Sequence, residues 1–217
     1  IKKTITSKIT LIAVSKTHDA NSILNVYDAG CRDFGENKVQ EMQQKADVLP
    51  KDIRWHMLGH LQTNKVKFIA PFVHLIHSVD SLNLLSVINK EAKKLDRTIN
   101  CLLQFHIAKE ETKFGLSIEE AHQILESEEY KTFKNISING IMAIATFTDN
   151  ETVINEEYSK AYGYFTELRD KYFGESTTFS TVSLGMSGDY NLAIQKGSTM
   201  VRLGTIIFGE RSYMQKQ

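Results

Sequence analysis

A lysine closes the first strongly apolar run of the chain, I-T-L-I-A-V-S-K over residues 9–16. An amine at the end of such a run can be desolvated. Its pKa then falls, and Lys16 can supply the neutral nitrogen that a Schiff base needs. The alternative is a lysine whose stem lies on apolar surface while its ammonium stays in water. Arg202 interrupts a second apolar run, V-R-L. A buried arginine must be paired, so it implies an anion or acceptor nearby, or a structural salt bridge to Glu36 or Asp80. Gly197-Ser198 and Gly204-Thr205 bracket that run, and Ser187 precedes it. Glycine lets backbone N–H groups approach a phosphate and the hydroxyls add donors; plain turns are the competing explanation. His56, His60, His77 and His106 lack the spacing of a metal motif and read as ordinary hydrogen-bonded histidines.

These residues fall at the ends of short β-branched runs that alternate with segments of helical period. Strands are expected over 9–16, 32–37, 54–60, 73–79, 99–107, 138–146, 178–184 and 200–208. Helices are expected over 19–29, 39–49, 64–70, 81–95, 117–128, 153–172 and 190–196. Asp19 and Asp80 or Ser81 read as N-caps, and Ser117-x-x-Glu120 as a capping box. Alternation implies parallel strands and right-handed crossovers, and eight units in this length favour a single closed (β/α)₈ TIM barrel. An open doubly wound sheet is weakened because no G-x-G-x-x-G follows the first strand. In a barrel, side chains at the C-terminal strand ends carry the chemistry. No helix is expected after the eighth strand.

Lys+Arg and Asp+Glu are equal at 26 each, so no basic excess points to a nucleic acid partner. Cys31 and Cys101 form no C-x-x-C, which argues against a disulfide framework and fits a reducing cytoplasm. No run reaches the ~18 apolar residues of a membrane span, and no secretory leader is expected from the basic opening residues.

Several segments carry a resemblance. A-V-S-K-T (13–17), F-G-E-N-K-V-Q-E (34–41), W-H-M-L-G-H-L-Q-T-N-K (55–65), K-F-G-L (113–116), G-I-M-A-I (140–144), S-L-G-M-S-G-D (183–189) and G-S-T-M-V-R-L-G-T-I-I-F-G (197–209) occur in order. Over residues 9–213 the chain resembles the YggS/PROSC family of pyridoxal phosphate homeostasis proteins. The resemblance implies one barrel domain over 1–217, similar to the N-terminal domain of alanine racemase. It implies that Lys16 holds pyridoxal 5′-phosphate (PLP) as a Schiff base and that Arg202 faces the pyridine nitrogen. Ser187, Gly204 and Thr205 would hold the phosphate, and Asn37 and His56 would line the ring pocket. It further implies a monomer that keeps PLP available to PLP-dependent apoenzymes, with no catalytic residues and no metal.

An arginine opposite the ring nitrogen cannot give up a proton, so the ring stays a poor electron sink. Racemisation also needs a second acid/base, which alanine racemase takes from another domain. A PLP-dependent racemase is therefore the weaker alternative; a cofactor-free Schiff-base aldolase and a binding scaffold are weaker still. The chain departs from the family at His60, where many members carry proline, and at Gly188, where many carry a second aspartate. Members usually open with a helix, for which little sequence precedes Ile9.

Overall fold

The computed structural model describes residues 8–110, 114–174 and 176–210. Residues 1–7 and 211–217, where an opening or closing helix was at issue, and Lys113 of the K-F-G-L segment lie outside the described residues. Eight parallel strands close into a barrel in sequence order. They are β1 (Thr10–Val14), β2 (Asp33–Glu36), β3 (Arg54–Met57), β4 (Val73–Val79), β5 (Ile99–Phe105), β6 (Ile136–Ala143), β7 (Thr181–Ser183) and β8 (Met200–Leu203). Closure comes from β1 pairing with β8, with Thr10 opposite Met200 and Ala13 opposite Leu203.

The helices are α1 (Ala20–Asp28), α2 (Val39–Val48), α3 (Val66–Ile69), α4 (Leu82–Lys94), α5 (Ile118–Glu126), α6 (Glu128–Lys131), α7 (Glu151–Leu168), α8 (Tyr190–Gln195) and α9 (Thr205–Phe208). Several start where side chains satisfy orphan N–H groups. The Asp19 carboxylate accepts from Ser22 at 2.8 Å. Ser81, rather than Asp80, accepts from Leu84. Ser117 and Glu120 form the expected capping box. Asn150 accepts from Thr152 and Val153, which starts α7 two residues earlier than its apolar period suggests.

Alternation along the strands makes two cores. Ile12, Leu58, Leu75, Leu102, Met142 and Met200 fill the barrel. The opposite strand faces pack on the helices, as with Leu84, Leu85, Ile88 and Ala92 of α4. Each fully buried Leu or Ile contributes about 1.5–3 kcal/mol of apolar burial.

Two expectations are corrected. The expected strand over 200–208 stops at Leu203, and Thr205–Phe208 turns into α9. The β-branched T-I-I-F run reads as strand, but Ile207 and Phe208 both donate backbone N–H groups to the Gly204 carbonyl. A short helix therefore does follow the eighth strand. The seventh strand begins at Thr181 instead of 178.

Candidate functional site

A cavity of about 420 Å³ opens at the C-terminal ends of the strands, a size typical of small-molecule sites. Lys16, Asn37, Ser187, Arg202, Gly204 and Thr205 all line it, together with His18, Leu58, Phe147 and Met186. The structure thus brings together six of the residues singled out from the sequence.

His56 is the exception. It is 1% exposed and lies below the cavity. It borders instead a polar pocket with Asp33, Arg54 and His74. Alternation does turn His56 inward, but Leu58, two residues on, is the β3-side residue that reaches the mouth. Ser198 is also misplaced. Its hydroxyl is spent on the Val182, Leu184 and Met200 carbonyls rather than on the cavity.

The β1–β2 side is held by a buried charged cluster. Lys45 Nζ donates to Glu36 Oε1 and Glu41 Oε1, each at 2.7 Å, and to the Ser15 carbonyl at 2.8 Å. Ser15 Oγ donates to Glu36 at 2.6 Å, and the Thr17 N–H donates to Glu41 at 2.5 Å. Both residues flanking Lys16 are therefore anchored. Thr17 has φ of +69°, a left-handed conformation that costs about 1–3 kcal/mol and persists only where its surroundings hold it. Burial pushes the Glu36 carboxyl above its ordinary range, against the hydrogen bonds from Lys45 and Ser15. Next to this cluster, Gly59 lets the chain after β3 pass over Asn37. A Cβ there would stand 2.3 Å from the Asn37 carbonyl oxygen.

The β7–β8 side is organised differently. Arg202 is 5% exposed. Its Nη1 donates to the Ser183 carbonyl and hydroxyl, both at 2.7 Å, and its Nη2 to the Ala143 carbonyl at 2.9 Å. The salt bridges to Glu36 or Asp80 allowed by the sequence are not made: Glu36 pairs with Lys45 and Asp80 with His60. Burial lowers the guanidinium pKa, with Tyr158 and Asp189 opposing. Asp189 stiffens the loop before α8 by accepting from the Met186 N–H at 2.6 Å and from the Tyr158 hydroxyl at 2.8 Å. Ser187 then accepts from the Gly204 N–H at 3.2 Å, which joins the two loops. His18 stacks on Phe208 of α9, ring centroids 4.5 Å apart, and brings the first and last loops of the barrel together.

Sequence reasoning missed His18 and Phe147, whose only signal is their nearness to the ends of β1 and β6. No group of His, Cys, Asp and Glu able to hold a metal occurs among the described residues. No described helix is long and apolar enough to cross a membrane.

Such a site, on such a barrel, defines a class. The family described as "Alanine racemase, N-terminal domain" matches residues 1–212. Solved alanine racemase from Clostridium difficile 630 superposes with a TM-score of 0.72 at 15% identity, over 98% of this chain and 55% of that one, which speaks for the fold alone. Closer relatives carry the name pyridoxal phosphate homeostasis protein. That of Aquifex aeolicus is 36% identical over 204 residues, 94% of this chain and 87% of its own. That of Escherichia coli K12 is 34% identical over 216 residues, 96% of this chain and 88% of its own. PipY of Synechococcus elongatus, solved with PLP bound, superposes with a TM-score of 0.85 at 33% identity over 96% of both chains. The chain belongs to the alanine racemase N-terminal-domain family and, within it, to the pyridoxal phosphate homeostasis proteins.

Proposed function

We propose that this chain is a PLP-binding protein of intracellular PLP homeostasis, a single-domain cytoplasmic monomer that holds the cofactor on Lys16 without turning over a substrate of its own. The observation that carries the reading is the meeting of Lys16, Arg202 and the joined Ser187 and Gly204 loops on one cavity. Curated relatives over nearly the whole chain bear the corresponding name.

The residues fit the cofactor. Among the described residues the hydrogen bonds of Arg202 go to neutral oxygens, and no carboxylate bond offsets its charge toward the cavity. Gly188 leaves the loop beside Ser187 open, since a Cβ there meets nothing within 4 Å. When bound, PLP supplies an aldehyde that condenses with an amine and a ring that draws electrons. Lys16 is the amine, seated by its clamped neighbours. The Ser187 hydroxyl, having accepted from Gly204, keeps its own hydrogen to donate, and the Thr205 hydroxyl is a second donor for the phosphate. Asn37 lies at the ring's edge, and Arg202 presents N–H groups that never deprotonate at neutral pH.

The non-catalytic reading is supported by the described lining, in which only His18 could serve as a proton acid/base beside Lys16 and Arg202. A carrier of this kind would supply PLP-dependent apoenzymes.

Absorbance spectroscopy tests both parts. Purified protein given PLP should turn yellow, and borohydride should bleach the colour and fix the adduct on the Lys16 peptide. Lys16→Ala should abolish the fixed adduct; an equally stable adduct in that variant would refute the assignment. Exchange of an amino acid's α-proton into deuterated water at ordinary enzyme rates would favour the racemase reading instead.

A further inference from the structure

Below the cavity, a file of buried polar groups runs across the inside of the barrel. The Asp33 carboxylate, at the foot of β2, is held by Arg54 through two bonds of 2.6 and 2.5 Å. Its Oδ1 also meets His56 Nε2 at 3.1 Å. His56 Nδ1 meets His77 Nε2 at 2.9 Å, and His77 Nδ1 meets Ser183 Oγ at 3.1 Å. Ser183 Oγ is also the acceptor for Arg202 Nη1. Five residues from five different strands thus form one continuous path. It starts at a polar pocket at the foot of the barrel and ends at the guanidinium in the mouth cavity.

The Asp33 end of the path, with both rings neutral, sets the direction of every bond. A guanidinium can only donate and an ionised carboxylate can only accept. Arg54 and His56 hold Asp33 ionised, well below the usual carboxylate range, against the effect of burial. Burial lowers the pKa of both His56 and His77, so each is neutral with one N–H and one bare nitrogen. His56 must therefore carry its proton on Nε2, toward Asp33. Its bare Nδ1 then requires a proton on His77 Nε2. The bare Nδ1 of His77 requires the Ser183 hydroxyl to donate, which leaves the Ser183 oxygen to accept from Arg202. With both rings neutral, no other assignment satisfies all four contacts; a second proton on His56 would drive the His77 N–H to Nδ1 and turn the Ser183 oxygen into an acceptor of both His77 and Arg202.

We propose that Asp33, His56, His77 and Ser183 are positioning residues that fix the orientation of Arg202, so that a change at the foot of the barrel is felt at the cofactor's ring. The proposal rests on the PLP-carrier reading for its effect on the ligand, but the file itself belongs to the protein alone. It also gives His56 a role other than lining the ring pocket. Tyr158 and Asp189 are the other ionisable groups whose charges bear on Arg202.

The experiment compares wild type, Asp33→Asn, Ser183→Ala and Ser183→Thr by two measurements. The first is ¹⁵N NMR without PLP, following the His56 and His77 rings and the Arg202 guanidinium. Wild type should show both rings protonated on Nε2. Asp33→Asn, remote from the cavity, should shift the His77 and Arg202 resonances and speed exchange of the Arg202 Nη hydrogens about tenfold. The second is PLP titration followed by absorbance. Ser183→Ala should bind about tenfold more weakly with a changed band pattern, Asp33→Asn should change in the same direction but less, and Ser183→Thr should restore both. Unchanged Arg202 resonances in Asp33→Asn, or rings protonated on Nδ1, would overturn the file. Wild-type affinity and spectrum in a folded Asp33→Asn would overturn its link to the ligand. Failure of wild type to bind PLP at all would remove the carrier reading instead, with the NMR result still deciding the file. Asp33→Asn is an isosteric change at a residue that lines the pocket at the foot of the barrel, so it decides even where a Ser183 variant fails to fold.

Discussion

On the β1–β2 side of the cavity, Lys16 is flanked by backbone tied to a buried ion cluster in which one ammonium serves two carboxylates. On the β7–β8 side, Arg202 is held by two carbonyls and a hydroxyl, with no charged group bonded to it among the described residues. Lys45, beneath the backbone beside Lys16, is thus paired with ions taken out of water, while Arg202 meets neutral dipoles. The difference matters because removing one member of a buried ion cluster leaves its partners uncompensated, while neutral acceptors tolerate the loss of a donor better. Under the carrier reading, it also suits two tasks. A lysine that must meet an aldehyde needs its backbone held while its own amine moves. An arginine that must face a ring needs its guanidinium itself held.

The largest test of that contrast is a pair of substitutions. Lys45→Ala should cost about 3 kcal/mol in urea unfolding at neutral pH, and less at pH 5, where Glu36 takes up a proton more readily. Arg202→Leu should cost only about 1–2 kcal/mol while weakening PLP binding far more than stability. Equal losses in the two would erase the distinction.

A smaller effect separates the two rims by packing. Gly59→Ala should destabilise by about 1–3 kcal/mol and loosen PLP binding, because the Asn37 backbone must move away from the new methyl. Gly188→Ala, on the other rim, meets nothing within 4 Å and should leave the thermal midpoint within a degree or so of wild type.

The mildest test is in acid and uses opposite signs. Glu36 has its pKa raised above 4.5, so its favourable contribution is complete below that pH and fades as pH rises through the folded value. Asp33 has its pKa lowered below 3.8, so its contribution is complete above that pH and fades as pH falls further. In a series of urea midpoints, Glu36→Gln should flatten the loss of stability on the rise above pH 4.5, and Asp33→Asn should flatten the loss on the fall below pH 3.8. A common direction for both would contradict the assigned causes.

Much of the mouth was legible because chemistry there follows strand ends. Lys16, Ser187, Arg202, Gly204 and Thr205 each stand at or just past an apolar run, and the barrel brings those ends together. His56 shows where this reasoning stops. Alternation tells which face of β3 a residue occupies, but not its height, which depends on the stagger between neighbouring strands. Asp33, His56 and His77 come from three strands, so their file has no spacing to betray it. The ion cluster was hidden for a similar reason: Lys45 lies on α2, and only packing brings it beneath Ser15. In α9, local β propensity lost to a tertiary turn, the ordinary way such short runs mislead.

The pairing of β1 with β8 has a consequence in time. Lys16 is synthesised well before Arg202, with seven of the eight strands between the two strand ends still to be made. Until the last strand joins the first, the lysine has neither the arginine nor the loop that carries Gly204 across from it. Under the carrier reading, a nascent chain that lacks the last strand cannot sequester the cofactor, and only a closed barrel withdraws it from the cell's supply.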